Sequence, residues 1–396
     1  MKFERAALSG RHLWSSPFVR WQGRLADISS LDVAAAVTRG ALAQRGTDLT
    51  QIDQLVLGTT IPQQRSFYGA PWIAARLGMP GVSGPHVAQA CATSVACIVA
   101  AAAQVEANAT ACSLVVTADR TSNGPLLVYP RSRALGGSAA TENWVLDNFA
   151  GDPATGQSMV DTAAAVAREG GMSRQALDEL TLLRHQQYQS ALADDRRVQR
   201  AYMQPVVIEQ GQSRLEVDCD EGVHETSAEG LRTLKPVHDG GVVTFGSQTH
   251  PADGAAGTLV MNRNDARTLA AGSEGVVRLL SAGFARAEKA RMPKAATTAA
   301  LRALEAAGVG IADVHVVTTH NPFAVNDLWF AQQTGFALER MNPYGCSLVY
   351  GHPQGPTGLR AIAELVQALR ARGGGIGLFT GCAAGDTGAA LLVRVE

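Results

Sequence analysis

Two apolar patterns alternate along this chain. Short unbroken apolar runs at 54–58, 113–118, 314–319, 375–380 and 388–394 read as strands buried on both faces. Helical patterns lie between them at 31–44, 94–107, 295–307 and 358–372. A further run at 86–91 reads as a strand leading into the helix that starts near Ser94, and the run at 258–262 as another core strand. Alternation of this kind in both halves of the chain predicts helix-covered sheets, an α/β fold. The alanine-rich helices admit close approach, so a layered core with small-residue helices in its middle is expected. The stretch 120–242 breaks the rhythm. It holds loops rich in proline, glycine and serine at 121–139 and 149–156, helices near 160–168 and 175–193, and a charged run at 216–229. That reads as a large insertion over one edge, where substrate-binding loops tend to sit.

Composition narrows the classes. A chain of 396 residues calls for two or three core units. A net charge of −1 offers no basic field for nucleic acid or an anionic membrane. The longest apolar stretch, 95–105, is too short to span a bilayer. With no secretory pattern at the N-terminus, a cytoplasmic protein with reduced cysteines is expected. The six cysteines include no CxxC pair, so neither a zinc site nor a disulfide framework is indicated. Cys97, Cys112 and Cys219 read as small core residues. His86, His185, His224, His238 and His315 lack ligand partners at metal spacing and read as structural or surface residues.

Four places carry candidate chemistry. Cys91 stands where a strand gives way to a helix, a position whose free N–H groups and dipole lower a thiol pKa and favour an acyl-accepting thiolate. His352 sits in Gly351-His352-Pro353-Gln354-Gly355, a rigid turn that aims an imidazole. Cys382 opens the small-residue loop Cys382-Ala383-Ala384-Gly385, whose N–H groups could hold an oxyanion. His320-Asn321-Pro322-Phe323 follows a buried strand, at the end where α/β sites gather. Each alone has a plain structural explanation, a core cysteine or a tight turn. Their order along one chain is far more specific.

In that order the sequence resembles the thiolase family over nearly its whole length. Leu234-Lys235-Pro236-Val237 with 241–244, Ala252-Asp253-Gly254-Ala255-Ala256, the stretch 342–358 and the Cys382 loop are similar to the family's motifs. The resemblance implies a five-layered αβαβα core of two similar halves, with 1–119 and 243–270 in the first, 271–396 in the second, and 120–242 as an inserted loop domain. It implies an acyltransferase working by ping-pong transfer, in thiolysis of a 3-ketoacyl-coenzyme A or the reverse Claisen condensation. Cys91 would carry the acyl group, His352 would take its proton and help bind the second substrate's thioester oxygen, and Cys382 would move the α-proton. Backbone N–H groups of Cys91 and Ala384, with Gly385 beside them, would form the oxyanion hole. Met159, Ser247, Thr249 and Phe323 would contact the substrate. Coenzyme A would enter as substrate, with no resident cofactor or metal. A homodimer or homotetramer is expected, and some related members bind a small OB-fold partner.

Departures cluster on the substrate side. His320 stands where the family usually has asparagine, which looks like the sterol-carrier-protein type. Cys91-Ala92-Thr93-Ser94 replaces the usual Cys-(Ala/Gly)-Ser-Gly. Ala384 replaces a glycine, 245–254 departs from the segment that lies against coenzyme A, and Ser158 stands where acetoacetyl-specific members carry histidine. An acyl group other than plain acetoacetyl is therefore expected. Two other readings stay open: a thiolase-like binding subunit of a larger acyl-coenzyme A complex, and a thiolase-like retro-aldol lyase.

Overall fold

The apolar runs assemble into a ten-stranded sheet made of two similar halves. The computed structural model describes residues 1–133, 135–269 and 275–396, so the expected boundary at 270/271 lies outside the described residues. In the first half, the parallel pair Gln54–Gly58 and Cys112–Arg120 is extended by the antiparallel strands Ala252–Asn262 and Ala6–Ser15. The second half repeats the pattern: Val316–His320 runs parallel to Gly375–Ala383, then Thr387–Val395 and Val276–Arg286 follow antiparallel. Ala6–Ser15 pairs with Val276–Arg286 and joins the halves.

Neither joining strand is expected from the apolar runs, and the reason is local. Ser9, Arg11 and His12 interrupt the first, and Arg278, Ser281 and Gly283 the second. Buried polar atoms among them find partners, so they do not disqualify a strand. Ser9 Oγ lies 2.7 Å from His12 Nδ1, and Ser281 Oγ donates to the Ala303 carbonyl at 2.6 Å. The strand expected over 86–91 is only His86–Val87, after which the chain turns sharply toward the helix Thr93–Glu106.

Side-chain alternation along the strands sorts the core into layers. Leu55, Leu57, Leu114 and Val116 point outward against the helices Ser30–Gln44 and Gly69–Arg76. Val56 and Val115 point inward, as do Phe379 and Leu391 from the second half. Leu378 and Leu392 face the opposite outer layer, Met292–Ala307 and Ala324–Thr334. Between the two half-sheets lie Thr93–Glu106 and Pro356–Ala371. The expected five-layered α/β core is therefore present, with the alanine-rich helix at its centre. The two central helices approach closely: a Cβ on Gly358 would meet Ser94 Cβ at 2.8 Å.

The stretch between Arg120 and Ala252 forms two-stranded ribbons, Leu126–Tyr129 with Ala140–Asn143 and Val206–Gln210 with Ser213–Val217, and the helices Met159–Glu169 and Arg174–Ala191. Buried ion pairs tie it down. Arg184 meets Asp327 at 2.8 Å, and Arg360 meets Asp220 at 2.6 Å. Removing one partner would strand a buried charge, so these pairs hold the segment in place. Cys219, expected in the core, is exposed, because it lies between Asp218 and Asp220 in the charged run. Among the described residues, no helix is long and apolar enough to cross a membrane.

Candidate active site

The central helices begin side by side, and the strand ends of both halves open onto the same place. Cys91 lies just before Thr93–Glu106, on a tight turn in which Thr93 Oγ1 accepts from the Gln89 N–H at 2.8 Å and donates to the Ala90 carbonyl at 2.7 Å. His352 and Gln354 lie just before Pro356–Ala371. Ser94 locks the two starts together: its Oγ accepts from the Leu359 N–H at 2.9 Å and donates to the Gly355 carbonyl. His320 ends its strand opposite Gly381, which places it beside Cys382. Cys382 and Ala383 belong to the strand Gly375–Ala383, and a tight hairpin, with Gly385 at φ +78°, carries the chain into Thr387–Val395.

Cys91 Sγ lies 3.1 Å from His352 Nε2. His352 Nδ1 sits 2.6 Å from Thr357 Oγ1, and the His352 N–H donates to the His250 carbonyl at 2.9 Å, so ring and backbone are both held. With Nδ1–H donating to Thr357, Nε2 is left as the acceptor facing the sulfur. The His320 ring stacks on His352, with centroids 3.9 Å apart and planes 23° from parallel. His320 Nδ1 is 3.2 Å from Ser347 Oγ, while its Nε2 is buried with no hydrogen-bond partner among the described residues. Asn326 Nδ2 donates to Cys382 Sγ at 3.2 Å.

Burial sets the resting charges. It pushes the Cys91 thiol up to about 12, although the backbone N–H groups of Ala384 and of Cys91 itself oppose it. The helix start was expected to lower this pKa; desolvation outweighs it, and the Asp119 carboxylate adds to the rise. Cys382 is raised as well, by burial and by the neighbouring Cys91. Burial lowers His320 to about 3 and His352 well below the usual range. Thiols and imidazoles are therefore uncharged at neutral pH, a set poised to exchange a proton rather than a standing ion pair.

A cavity of about 540 Å³ opens above this cluster. Cys91, His352 and Ala384 line it, together with Met159, Thr249 and Phe323 of the expected substrate contacts. Ser247 does not; it is buried beneath, where its Oγ accepts from the Thr244 N–H at 2.9 Å. His320 and Cys382 are buried and do not line it, and Gly385 stands outside the lining on a half-buried hairpin. Cys91, His320 and His352 place their donor atoms within 4.8 Å of one another, close enough for metal ligands. The stacked rings, however, confine their lone pairs to nearly parallel planes 3.9 Å apart at the centroids, an arrangement that does not favour tetrahedral chelation.

Two family models match the chain, the N-terminal domain of thiolase over residues 14–264 and the C-terminal domain of thiolase over 274–395. The chain belongs to the thiolase family. Its reaction class is thiolase-type acyl transfer, and it is an acyltransferase. It is 30% identical to a 3-ketoacyl-CoA thiolase of Serratia proteamaculans, across 96% of this chain and 95% of the relative. It is 28% identical to an acetyl-CoA acetyltransferase of Escherichia coli, across 94% and 95%. Among solved structures, an acetyl-CoA acetyltransferase of Bacillus anthracis superposes with a TM-score of 0.91 over all of both chains, at 22% identity. A human mitochondrial 3-ketoacyl-CoA thiolase in complex with CoA superposes at 0.89, over 99% of this chain and 98% of that one, also at 22% identity.

Several residues of this thiolase's site escape motif reasoning. Gln354 reaches Cys91, Asn326 holds Cys382, and Asp119 accepts from the N–H groups of Thr60, Ile61 and Gly355. Glu142, Trp144 and Phe149 form a wall of the cavity from the stretch after Arg120. Gln354 was visible inside the histidine turn. The wall residues lie in a segment with no period to announce them.

Proposed function

We propose that this thiolase moves an acyl group onto Cys91 and from there to coenzyme A or to an acyl-coenzyme A carbanion, in thiolysis of a 3-ketoacyl-coenzyme A longer than acetoacetyl or in the reverse condensation. The observation that carries this reading is the 3.1 Å contact between Cys91 Sγ and His352 Nε2 at the floor of a deep, largely apolar cavity. In the acylation step the Cys91 proton passes to His352 Nε2 while sulfur bonds to the carbonyl carbon. Because both groups start neutral, proton transfer and bond formation proceed together. The N–H groups of Cys91 and Ala384, which act on the Cys91 sulfur in the resting site, would hold the oxygen as its charge grows. Thiolysis expels the acyl-coenzyme A carbanion, which Cys382 protonates; condensation runs the same transfer backwards. Asn326 steadies the Cys382 sulfur for that role. His320 Nε2, buried without a partner beside the stacked His352, supports these two rings sharing the second thioester oxygen, in the manner of the sterol-carrier-protein type.

The chain-length reading rests on Trp144, Phe149, Met159, Met292 and Phe323, which line the cavity with apolar surface where an acetoacetyl group would leave it unfilled. In this reading 120–242 is the inserted loop domain that closes the cavity. A cytoplasmic homodimer or homotetramer accords with the exposed Phe67 and Tyr68, and light scattering on the purified chain tests it. Thiolysis rates over a panel of 3-ketoacyl-coenzyme A substrates test the activity itself. Highest kcat/KM on chains longer than acetoacetyl is expected, and a clear preference for acetoacetyl-coenzyme A would sink the chain-length reading. No thiolysis on any chain, with no acyl adduct, would favour the binding-subunit alternative.

A further inference from the structure

Gln354 has two unusual features. It is not glycine, yet its backbone sits in the left-handed region at φ +61°, two residues after His352. Such positions carry strain that the surroundings must hold in place. The next residue is pinned: the Gly355 N–H donates to the buried Asp119 Oδ2 at 2.8 Å, and a Cβ there would meet the same oxygen at 2.8 Å. The turn is clamped from behind by a carboxylate that also accepts from Thr60 and Ile61.

The second feature is where the strained residue points. The Cys91 thiol lies 3.1 Å from Gln354 Oε1 and 3.1 Å from His352 Nε2, so its single proton faces two acceptors. The Gln354 side chain also favours the protonated His352 imidazole against burial. Thr357 occupies Nδ1, and the stacked His320 is neutral. The mechanism so far leaves the imidazolium formed at His352 Nε2 with no assigned acceptor.

We propose that Gln354 is a catalytic residue of this thiolase, its Oε1 accepting from His352 Nε2–H once Cys91 has given up its proton. In that step the Sγ–H bond breaks and its proton moves to Nε2. The sulfur electron pair forms the bond to the thioester carbon, and the carbonyl π pair moves to the oxygen. Nε2–H then donates to Gln354 Oε1, which holds the ring in its charged form until the tetrahedral adduct collapses, the bond from the acyl carbon to the coenzyme A sulfur breaks, and Nε2 gives its proton to that departing thiolate. Left-handed backbone at position 354 is what aims the amide at the pair, and Asp119 holds the turn that keeps it there.

The proposal rests on Cys91 and His352 acting as nucleophile and base. Its test therefore uses a reaction that needs no coenzyme A thioester: alkylation of Cys91 by iodoacetamide, in which the S–C bond forms, iodide leaves and the thiol proton goes to His352. Two variants separate the acceptor from the backbone. Gln354→Leu removes the oxygen. Gln354→Asn keeps an amide and suits left-handed backbone better, but withdraws the oxygen by one methylene, about 1.5 Å. Loss of a hydrogen bond to a charged group predicts that both variants alkylate about tenfold to a hundredfold more slowly, that Gln354→Asn melts no lower than wild type, and that kcat for thiolysis falls with KM little changed. Wild-type alkylation in Gln354→Leu, or in Gln354→Asn, would overturn the proposal, because a residue that only supports the turn is replaced well by asparagine. If alkylation slows in both variants while no thioester acylates the wild-type enzyme, the acceptor role stands and the thiolysis reading fails.

Discussion

At and just behind the floor of the cavity Cys91, His320, His352 and Cys382 sit on strand ends and helix starts, each with a named partner: Gln354, Ser347, Thr357 and Asn326 respectively. On the wall, Glu142, Trp144 and Phe149 follow one another from a ribbon strand through a turn into the short helix Leu146–Ala150, and Leu126 and Val128 of that ribbon are 64% and 59% exposed. The contrast separates two tasks. The floor fixes donors and acceptors to within hydrogen-bond tolerance, and in the proposed mechanism it would govern charge in the transition state. The wall supplies apolar surface, and in the proposed reading it would govern which acyl chain fits. Floor substitutions should change kcat for every substrate, and wall substitutions the ratio between substrates.

The largest effect is expected on the floor. His352→Asn should slow thiolysis on the order of 10³-fold at every chain length, the loss typical of a removed general base. A loss confined to long chains would break the comparison. Cys382→Ser should separate the half-reactions. Acylation of Cys91 by an acyl-coenzyme A needs no α-proton transfer and should persist, while condensation falls by about 10²-fold or more. Rapid-quench measurement of the acyl-enzyme against steady-state turnover reads both. Equal loss in the two steps would place Cys382 in the acylation machinery instead.

Trp144→Ala probes the wall. About a tenfold drop in kcat/KM for long-chain substrates is expected, with short chains little affected, the discrimination available to apolar contacts. A uniform drop would assign Trp144 to the floor. Its ring N–H donates to the Thr60 carbonyl at 2.9 Å, so Trp144→Phe controls for that bond.

These contrasts follow what could be read from sequence. The floor was legible because Cys91, His320, His352 and Cys382 each lie in a short motif whose order along the chain is specific, and the layered core because strands such as 54–58 and 113–118 are unbroken apolar runs. The joining strands Ala6–Ser15 and Val276–Arg286 were not, since Arg11, His12 and Ser281 disguise them and only tertiary partners reveal that the burial is tolerated. Ser247 shows what motif position leaves out: it was expected at the substrate, and a local bond from the Thr244 N–H holds its side chain buried outside the cavity lining. Thiol acidity also depends on burial, which sequence position does not report, so a helix start promised a low pKa at Cys91 where desolvation raises it.

The smallest effect concerns the clamp behind the floor. Burial raises the Asp119 carboxyl from 3.8 to about 7, despite four hydrogen bonds that favour its charge. Folded protein then holds this proton more tightly than unfolded chain. Its contribution to stability is complete below about pH 4 and declines as pH rises toward 7. Asp119→Asn lacks that slope, so the difference in Tm between wild type and variant should narrow by a few degrees from pH 4.5 to 7. A difference that widens over the same range would mean the carboxylate is favoured by its donors more than burial disfavours it.

The most direct test of the central claim is the intact mass of the protein after brief mixing with an acyl-coenzyme A, followed by peptide mapping. One acyl group per chain on the peptide carrying Cys91, labile to hydroxylamine and absent in Cys91→Ala, is the predicted result. An unmodified Cys91 in a folded chain that still turns over 3-ketoacyl-coenzyme A would contradict it.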